Sequence, residues 1–357
     1  MSETKPPSRL SPGSQLGKYT IKRLLGRGRT AEVYRALDPD LARDVAIKVF
    51  HPTPDQVATI ADDFRTEVRG FAALKHPNLV RIYGVGVAGN TFFVVMELIE
   101  GTVLRDKISE HPRGLGRDTT VRIFSQVASA VAVAHDRGIV HGNIKPDNVL
   151  IDKKERPVLT DFNVTCLHDP SDINSEWSPD YLSPAQVRKN APCTACDIYA
   201  LGVLLYEMIT GDVPFKGNYQ SVLKQHLEAS PVPPSKHRVD VDPRIEQVIL
   251  KAMSKNADER QTSAREMVAG LEDQGGMAQY DTISLDRASL PKPPVKTRSQ
   301  IRRFQQSRII TRAGEEVEPD PLPKKRSWGR ALLVVFSAVL LIVILLLAVA
   351  ILLVALG

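Results

Sequence analysis

The chain has 357 residues, 43% apolar and 25% charged, so it can bury a large core and hold one large domain or two modest ones plus tails. Its three cysteines and the lack of an apolar N-terminal segment argue against a secreted, disulfide-rich scaffold. The net charge of +6 arises from residues 292–330, where eleven Lys or Arg accompany four Asp or Glu, so the rest of the chain is nearly neutral and nucleic-acid binding by a folded domain has no support.

The first predicted elements are a disordered tail over residues 1–18 and a hairpin that contains glycines. Tyr19 to Leu25 alternates in hydrophobicity like a strand and leads into Gly26 and Gly28. Glycines permit a tight strand–turn–strand whose backbone amides can approach phosphate groups. Taken alone, the same pattern also fits an ordinary hairpin.

A lysine and a carboxylate come next. Residues 45–48 read as an apolar strand that ends in Lys48, and a helix is predicted from about residue 55 to 75, where His76-Pro77 stops it. On that helix Glu67 has apolar residues three and four positions away on its face, which indicates an inward orientation. Asp62 and Asp63 are the alternative carboxylates.

A buried strand and a long helix follow. Phe92 to Leu98, which includes Met96, is predicted to be a buried strand. Thr119 to Arg137 has apolar residues at helical spacing and is followed by Gly138, a residue that favours helix C-termini.

Polar motifs lie beyond this helix. His141-Gly-Asn-Ile-Lys-Pro-Asp-Asn148 contains two asparagines and a lysine, and Thr160-Asp-Phe-Asn163 contains a carboxylate. Carboxylate and amide oxygens are the hard ligands that magnesium needs. A long apolar helix is predicted to begin near Asp197.

The order of these motifs resembles a protein kinase domain of the bacterial serine/threonine type over about 250 residues, from Tyr19 to roughly Leu271. The resemblance implies an α+β fold of two lobes, a small β-rich N-lobe over residues 19–99 and a large α-helical C-lobe over residues 100–272. It also implies ATP and Mg²⁺ as cofactors and Ser/Thr residues of proteins as phosphate acceptors.

The resemblance also assigns a role to each site residue. Asn143 stands where the family has the aspartate that accepts the substrate proton, and Lys145 where it has the lysine that steadies the γ-phosphate. Asn148 and Asp161 correspond to the magnesium ligands. Residues implied in nucleotide binding are Gly26, Gly28, Val33, Ala46, Lys48, Glu67, Met96, Glu97, Leu98 and Leu150. A packed column of Phe71, Ile82, His141 and Phe162 is implied as well.

Departures from the family pattern cluster in the part that meets the protein substrate. An asparagine cannot accept a proton at physiological pH, so Asn143 is the most consequential change. Other departures are Gly142, Asn163, Trp177 and Ala185, the last replacing a glutamate whose arginine partner corresponds to Arg260. The clustering favours a nucleotide-binding signalling protein in which phosphotransfer is weak or lost. The alternative is an active serine/threonine kinase, since the ATP-holding residues remain.

Cys193 and Cys196 have the C-x-x-C spacing of redox and metal sites. No second cysteine pair or nearby pair of histidines completes a zinc set, so a functional role is the less favoured interpretation.

The C-terminal part is predicted to be a tether and an anchor. Residues 273–330 contain prolines and a basic stretch that could either lie on anionic lipid or serve as a solvated spacer. Residues 331–356 are apolar apart from Ser337, and 26 helical residues exceed the thickness of a bilayer core. Basic residues and Trp328 precede the span, which predicts a single-pass protein of the cell membrane with its kinase-like domain in the cytoplasm.

Overall fold

The computed structural model describes residues 10–28, 31–52, 54–162, 164, 167 and 178–272. All of these belong to the first of two units, Met1–Pro293; the second unit, Pro294–Gly357, falls outside them. The predicted tether and span, together with Asn163 and Trp177, also lie outside the described residues. Within the part that is described, no helix has the length and apolar character needed to cross a bilayer.

The N-terminal lobe is a six-stranded antiparallel sheet with the order β1-β2-β3-β4-β6-β5 and one long helix, α1. The chain alternates apolar and polar residues through β3 and β4, so each strand presents an apolar face to a core. The elements are β1 Gln15–Leu16, β2 Tyr19–Arg27, β3 Ala31–Asp38, β4 Arg43–Phe50, α1 Pro54–Ala72, β5 Ile82–Ala88 and β6 Thr91–Met96.

Two predicted boundaries move by a few residues. Helix α1 ends at Ala72 rather than near residue 75, because Leu74 already bonds to the carbonyl of Phe71 in a tighter turn. Strand β6 ends at Met96 rather than at Leu98, because the Glu97 N–H leaves the sheet ladder and donates to the carbonyl of Arg81 at 2.8 Å.

The C-terminal lobe is helical and contains a small three-stranded sheet of order β7-β8-β9. Its strands and helices are β7 Gly101–Val103, α2 Leu104–Ser109, α3 Arg117–Asp136, β8 Val149–Asp152, β9 Pro157–Leu159, α4 Pro184–Val187, α5 Thr194–Thr210, α6 Tyr219–Glu228, α7 Pro243–Ala252 and α8 Ala264–Ala269. Helix α3 confirms the predicted helix to within two residues. The two-lobed α+β architecture is therefore as predicted.

Helix α5 is the centre of the C-terminal lobe. It is apolar around its whole circumference and is buried from Cys196 to Thr210, as expected for a helix enclosed by others. Gly202 allows this packing, since a Cβ there would lie 2.8 Å from the Cβ of Ala252 on α7. Asp197 and Glu207 are its only charged residues, and both are buried.

His226 of α6 is buried against α5 and makes stability depend on pH. Its Nδ1 lies 2.8 Å from the Tyr199 hydroxyl, and burial, assisted by the ammonium of Lys255, lowers the pKa of His226 from 6.5 to about 3. Between these values the unfolded chain binds a proton that the folded chain does not. Its contribution is therefore complete above about pH 6.5 and is lost as the pH falls towards 3.

We expect His226→Gln to flatten the acid dependence of the unfolding free energy. One such histidine contributes a slope of up to about 1.4 kcal/mol per pH unit. Denaturant unfolding at several pH values between 6 and 4 measures the slope. His111→Gln, at an exposed histidine, is the matched control. Identical slopes in His226→Gln and the unsubstituted chain would contradict the assignment.

Candidate active site

The site is built around an ion pair between the two lobes. Lys48, near the end of β4, places its Nζ 2.6 Å from Oδ1 of Asp161, which follows β9. The strand register explains the position of the lysine, because β4 is central in the sheet and Lys48 pairs with Val33 on one side and Val94 on the other. Residues 113 positions apart in the chain are thus brought together.

Asp161 is held as a carboxylate in an uncommon backbone conformation. Its φ is +68°, in the left-handed region that aspartate tolerates better than most residues. Burial alone would raise the pKa of Asp161, but the ammonium of Lys48, with further contributions from His141 and Lys145, holds that pKa below its usual value. The carboxyl group is therefore ionised at neutral pH, as a cation ligand must be.

An apolar pocket adjoins the ion pair. Its walls include Lys48 and Asp161 together with apolar side chains from β4, β5, β6 and α1, among them Val80, Ile82 and Met96. Ala46 pairs with Met96 across the strands and forms a small cluster with Val80 and Val158, against which Val33 and Leu98 pack. Such a pocket suits a flat aromatic ring.

The predicted nucleotide residues are placed as follows. Leu150 is half-buried on β8, where it pairs with Val158 of that cluster. The Glu97 N–H is already bonded to Arg81, so only the carbonyl of Glu97 remains for a ligand in this part of the backbone. Gly26 and Gly28 lie at the end of the β2–β3 hairpin, where the Gly28 N–H donates to the Ala31 carbonyl at 2.8 Å.

Glu67 is half-buried on α1, whereas Asp62 and Asp63 on the same helix are exposed. The choice of Glu67 as the inward-facing carboxylate agrees with this burial. The ion pair observed at Lys48 is the one with Asp161.

The polar loop after α3 is fixed by a carboxylate from below. Asp197 of α5 accepts hydrogen bonds from the backbone N–H groups of His141 and Gly142, both at 2.8 Å, and its Oδ2 also lies 2.8 Å from Nε2 of His135. Gly142 has φ of +72°, a conformation that a glycine adopts without strain. The loop is therefore positioned by the protein alone.

Asn143 and Asn148 are linked within this loop. The Asn148 Nδ2 donates to the backbone carbonyl of Asn143 at 2.7 Å, and the Asn143 N–H donates to Nδ1 of His141 at 3.3 Å. With its nitrogen used in this way, the amide of Asn148 has its oxygen left as the group that can ligate a cation.

The predicted packing column is present. Phe162 stacks on Phe71 with ring centroids 5.0 Å apart and lies 4.5 Å from His141, while Ile82 lines the same pocket. His141 is fully buried, and burial lowers its pKa, so the ring is neutral. Its Nε2 lies 3.0 Å from the Thr160 carbonyl, which marks it as a packing residue.

The residues present fit a magnesium ion bound together with phosphates. Asp161 offers an ionised carboxylate and Asn148 an amide oxygen, and magnesium is commonly held by one or two protein oxygens plus phosphate and water. Over the described part of the chain, no group of three or more His, Cys, Asp and Glu residues forms a separate metal site. A cation at this place would thus depend on a phosphate ligand.

A buried polar network was not foreseen from the sequence. Arg105 of α2 bonds to Glu207 of α5, to the Tyr181 hydroxyl at 2.6 Å and to Asp147 of the loop at 3.1 Å, and Tyr181 also donates to Glu207. The network joins the loop to the segment before α4. Its one sequence signal is Glu207, a charged residue inside the most apolar helix of the folded part.

Arg260 has found substitutes for the missing glutamate. Its side chain is 4% exposed, and its guanidinium donates to three backbone carbonyls, those of Ser254, Ala195 and Lys255, at 2.7 to 3.2 Å. The guanidinium also lies over the ring of Tyr199, 5.0 Å from its centroid. The expectation that Arg260 needs another partner is confirmed.

Comparison with known proteins agrees with this geometry. The protein kinase domain profile matches residues 19–270. The serine/threonine-protein kinase PknB of Mycolicibacterium smegmatis is 32% identical over 94% of the chain and 54% of its own length, and PrkC of Bacillus subtilis is 35% identical over 71% and 40%. The chain thus spans about half the length of these relatives. The crystal structure of the Mycobacterium tuberculosis PknI kinase domain superposes with a TM-score of 0.62 at 24% identity, covering 75% of this chain and all of that one.

Proposed function

The chain belongs to the protein kinase domain family, and from this premise we propose that it is a membrane-anchored, serine/threonine kinase-like signalling protein that binds Mg-ATP and transfers phosphate weakly or not at all. The proposal rests on one observation, the Lys48–Asp161 ion pair beside an apolar pocket. A cation and a carboxylate in contact can separate to meet a phosphate and a metal ion. This function requires no rearrangement of the loop at residues 141–148.

We assign the following roles. Ala46, Val33, Leu150 and Met96 contact the adenine, with backbone groups of Glu97 and Leu98 at its edge, and Gly26 and Gly28 cover the phosphates. Lys48, positioned by Glu67, holds the α- and β-phosphates, and Lys145 meets the γ-phosphate. Asn148 and Asp161 hold Mg²⁺, which when bound neutralises phosphate charge.

The weak step is proton acceptance. In the family an aspartate accepts the proton of the attacking hydroxyl, and Asn143 can orient that hydroxyl by a hydrogen bond without taking its proton. Phosphoryl transfer depends mainly on positioning and electrostatics, so some transfer by the otherwise complete site is compatible with this chemistry. An active serine/threonine kinase is the second candidate, favoured by the retained Lys48, Lys145, Asn148 and Asp161.

We expect Mg-ATP to raise the melting temperature of the 357-residue chain and Asp161→Ala to abolish this shift. A ligand at about 100 times its Kd adds about 2.7 kcal/mol, or about 5–10 °C for a domain of this size. The measurement is a thermal melt with ATP in the presence of magnesium or of EDTA. Asp62→Ala, at an exposed aspartate of α1, is the matched control. An unchanged melt at saturating Mg-ATP would overturn the binding proposal.

Membrane anchoring is proposed from residues 331–356 and the basic residues before them. We expect the chain to stay in the membrane pellet after alkaline carbonate extraction, because an apolar span of this length inserts stably. Deleting residues 331–357 should release the protein to the supernatant. Release of the undeleted chain by carbonate would indicate peripheral attachment and exclude the anchor.

A further inference from the structure

The C-x-x-C pair lies at the start of the buried helix α5. Cys193 is the N-cap residue of this helix, and a disulfide joins it to Cys196 in the first turn, with the Cα atoms 5.0 Å apart. Cys193 is partly exposed, whereas Cys196 is only 1% exposed. One sulfur is thus open to solvent reagents and the other is shielded behind it.

The buried cysteine adjoins the loop of the candidate active site. Cys196 lines a small pocket together with Gly142, Asn143 and Lys145. The next residue, Asp197, is the one that accepts hydrogen bonds from the N–H groups of His141 and Gly142. A change in the covalent state of Cys196 therefore acts one peptide unit away from the carboxylate that positions the loop.

The surroundings stabilise a thiolate. The N-terminus of a helix carries a partial positive charge, which favours an anion on a capping cysteine. The buried guanidinium of Arg260 adds a full positive charge nearby, since its Nη1 donates to the carbonyl of Ala195, between the two cysteines, at 2.7 Å. Thiolates are the reactive form in exchange with disulfides.

A purely mechanical role is weak for this disulfide. A disulfide stabilises mainly by closing a loop in the unfolded chain, and the effect grows with loop length. Only Thr194 and Ala195 separate these cysteines, and they lie in a helical turn that is already closed by backbone bonds. Little constraint is gained, so the reactivity of the pair is its distinguishing property.

We propose that Cys193 and Cys196 are a thiol–disulfide exchange site for low-molecular-weight disulfides, and that its redox state is transmitted through Asp197 to the loop at residues 141–145. Cys193 reacts first, because it is the accessible sulfur. The site is independent of nucleotide binding and of phosphotransfer.

The exchange balances as follows. The Cys193 thiolate attacks one sulfur of the disulfide RSSR, a mixed disulfide forms, and one RS⁻ leaves and takes up a proton. The Cys196 thiolate, its proton released to solvent, then attacks Sγ of Cys193. The internal disulfide forms and the second RS⁻ leaves to become RSH. The pair is oxidised by two electrons and RSSR is reduced to two thiols; excess RSH reverses both steps.

A redox titration tests the exchange. The 357-residue chain is equilibrated in buffers of reduced and oxidised glutathione, quenched in acid, alkylated and weighed by intact mass spectrometry. We expect two thiols to disappear together in one two-electron transition. Cys196→Ser should accumulate a mixed disulfide with glutathione at Cys193, whereas Cys193→Ser should react at least about tenfold more slowly at the buried sulfur. Cys166→Ser, at the third cysteine, should leave the transition unchanged.

Two outcomes would overturn the exchange site: both cysteines staying reduced in oxidised glutathione, or equal glutathione adducts in the two single variants. The coupling is tested by amide hydrogen exchange of residues 141–145 in the reduced and oxidised chain. We expect exchange to be about threefold or more faster after reduction, because the support of Asp197 loosens. The Cys193→Ser/Cys196→Ser variant should show one rate under both conditions. Equal rates in both states of the unsubstituted chain would remove the coupling.

Discussion

Replacing Asn143 with aspartate is expected to increase phosphotransfer by at least tenfold. A general base typically contributes about 10²–10⁴-fold, or roughly 2.7–5.4 kcal/mol of barrier. The loop needs no repair for this gain, because Asp197 and Asn148 hold its backbone through atoms that the substitution leaves in place. A carboxylate at position 143 would restore the one function that an amide lacks.

The assay is autophosphorylation with radiolabelled ATP and magnesium. Lys48→Met in the Asn143→Asp background should remove the gained signal, which excludes a contaminating kinase. Asn90→Asp, at an exposed asparagine in the β5–β6 turn, is the matched control and should leave the rate unchanged. If Asn143→Asp gains nothing while Mg-ATP still raises the melting temperature, the defect lies elsewhere in the substrate half. Clear Lys48-dependent transfer by the unsubstituted chain would favour the active-kinase alternative.

Asp197→Ala is expected to lower the free energy of unfolding by about 3–5 kcal/mol, the range for breaking a buried charged hydrogen-bond network. The substitution leaves two buried N–H groups, those of His141 and Gly142, without their acceptor, and removes the partner of His135. Unpaired buried donors lose their hydration with no compensation. The cost is a large part of the 5–15 kcal/mol that a typical domain has in total.

Denaturant unfolding measures this loss. Asp197→Asn keeps the shape and one acceptor oxygen, so its loss should be clearly smaller than that of Asp197→Ala. Asp118→Ala on α3, at a side chain that is 95% exposed, should change the unfolding free energy by less than about 0.5 kcal/mol. A loss below about 1 kcal/mol for Asp197→Ala would show that the loop is held by other contacts.

Much of the fold was predictable because the motifs have strong local signatures. The alternating strands and helix α3 follow from hydrophobic period, and the column of Phe71, His141 and Phe162 follows from the family resemblance. The two moved boundaries were decided by single backbone bonds at Leu74 and Glu97, which residue type alone does not specify.

Long-range polar contacts were the least predictable part of the site. The network of Arg105, Tyr181 and Glu207 joins residues up to 102 positions apart, and each of these residues is unremarkable in its local sequence. The three carbonyl partners of Arg260 could not be named either, because every residue has a carbonyl and only the packed chain shows which ones converge. The position of the cysteine pair beside the loop depends equally on packing, since 50 residues separate Asn143 from Cys193.

The partners of Arg260 change how the base of the helical lobe responds to its surroundings. A carboxylate in that place would be neutralised in acid and weakened by dissolved ions, since both effects act on a net charge. Peptide carbonyls carry no titrating proton, and the three that hold Arg260 are enclosed with it. The loss of the glutamate at position 185 has therefore exchanged an anchor that depends on acidity and ionic strength for one that depends on neither.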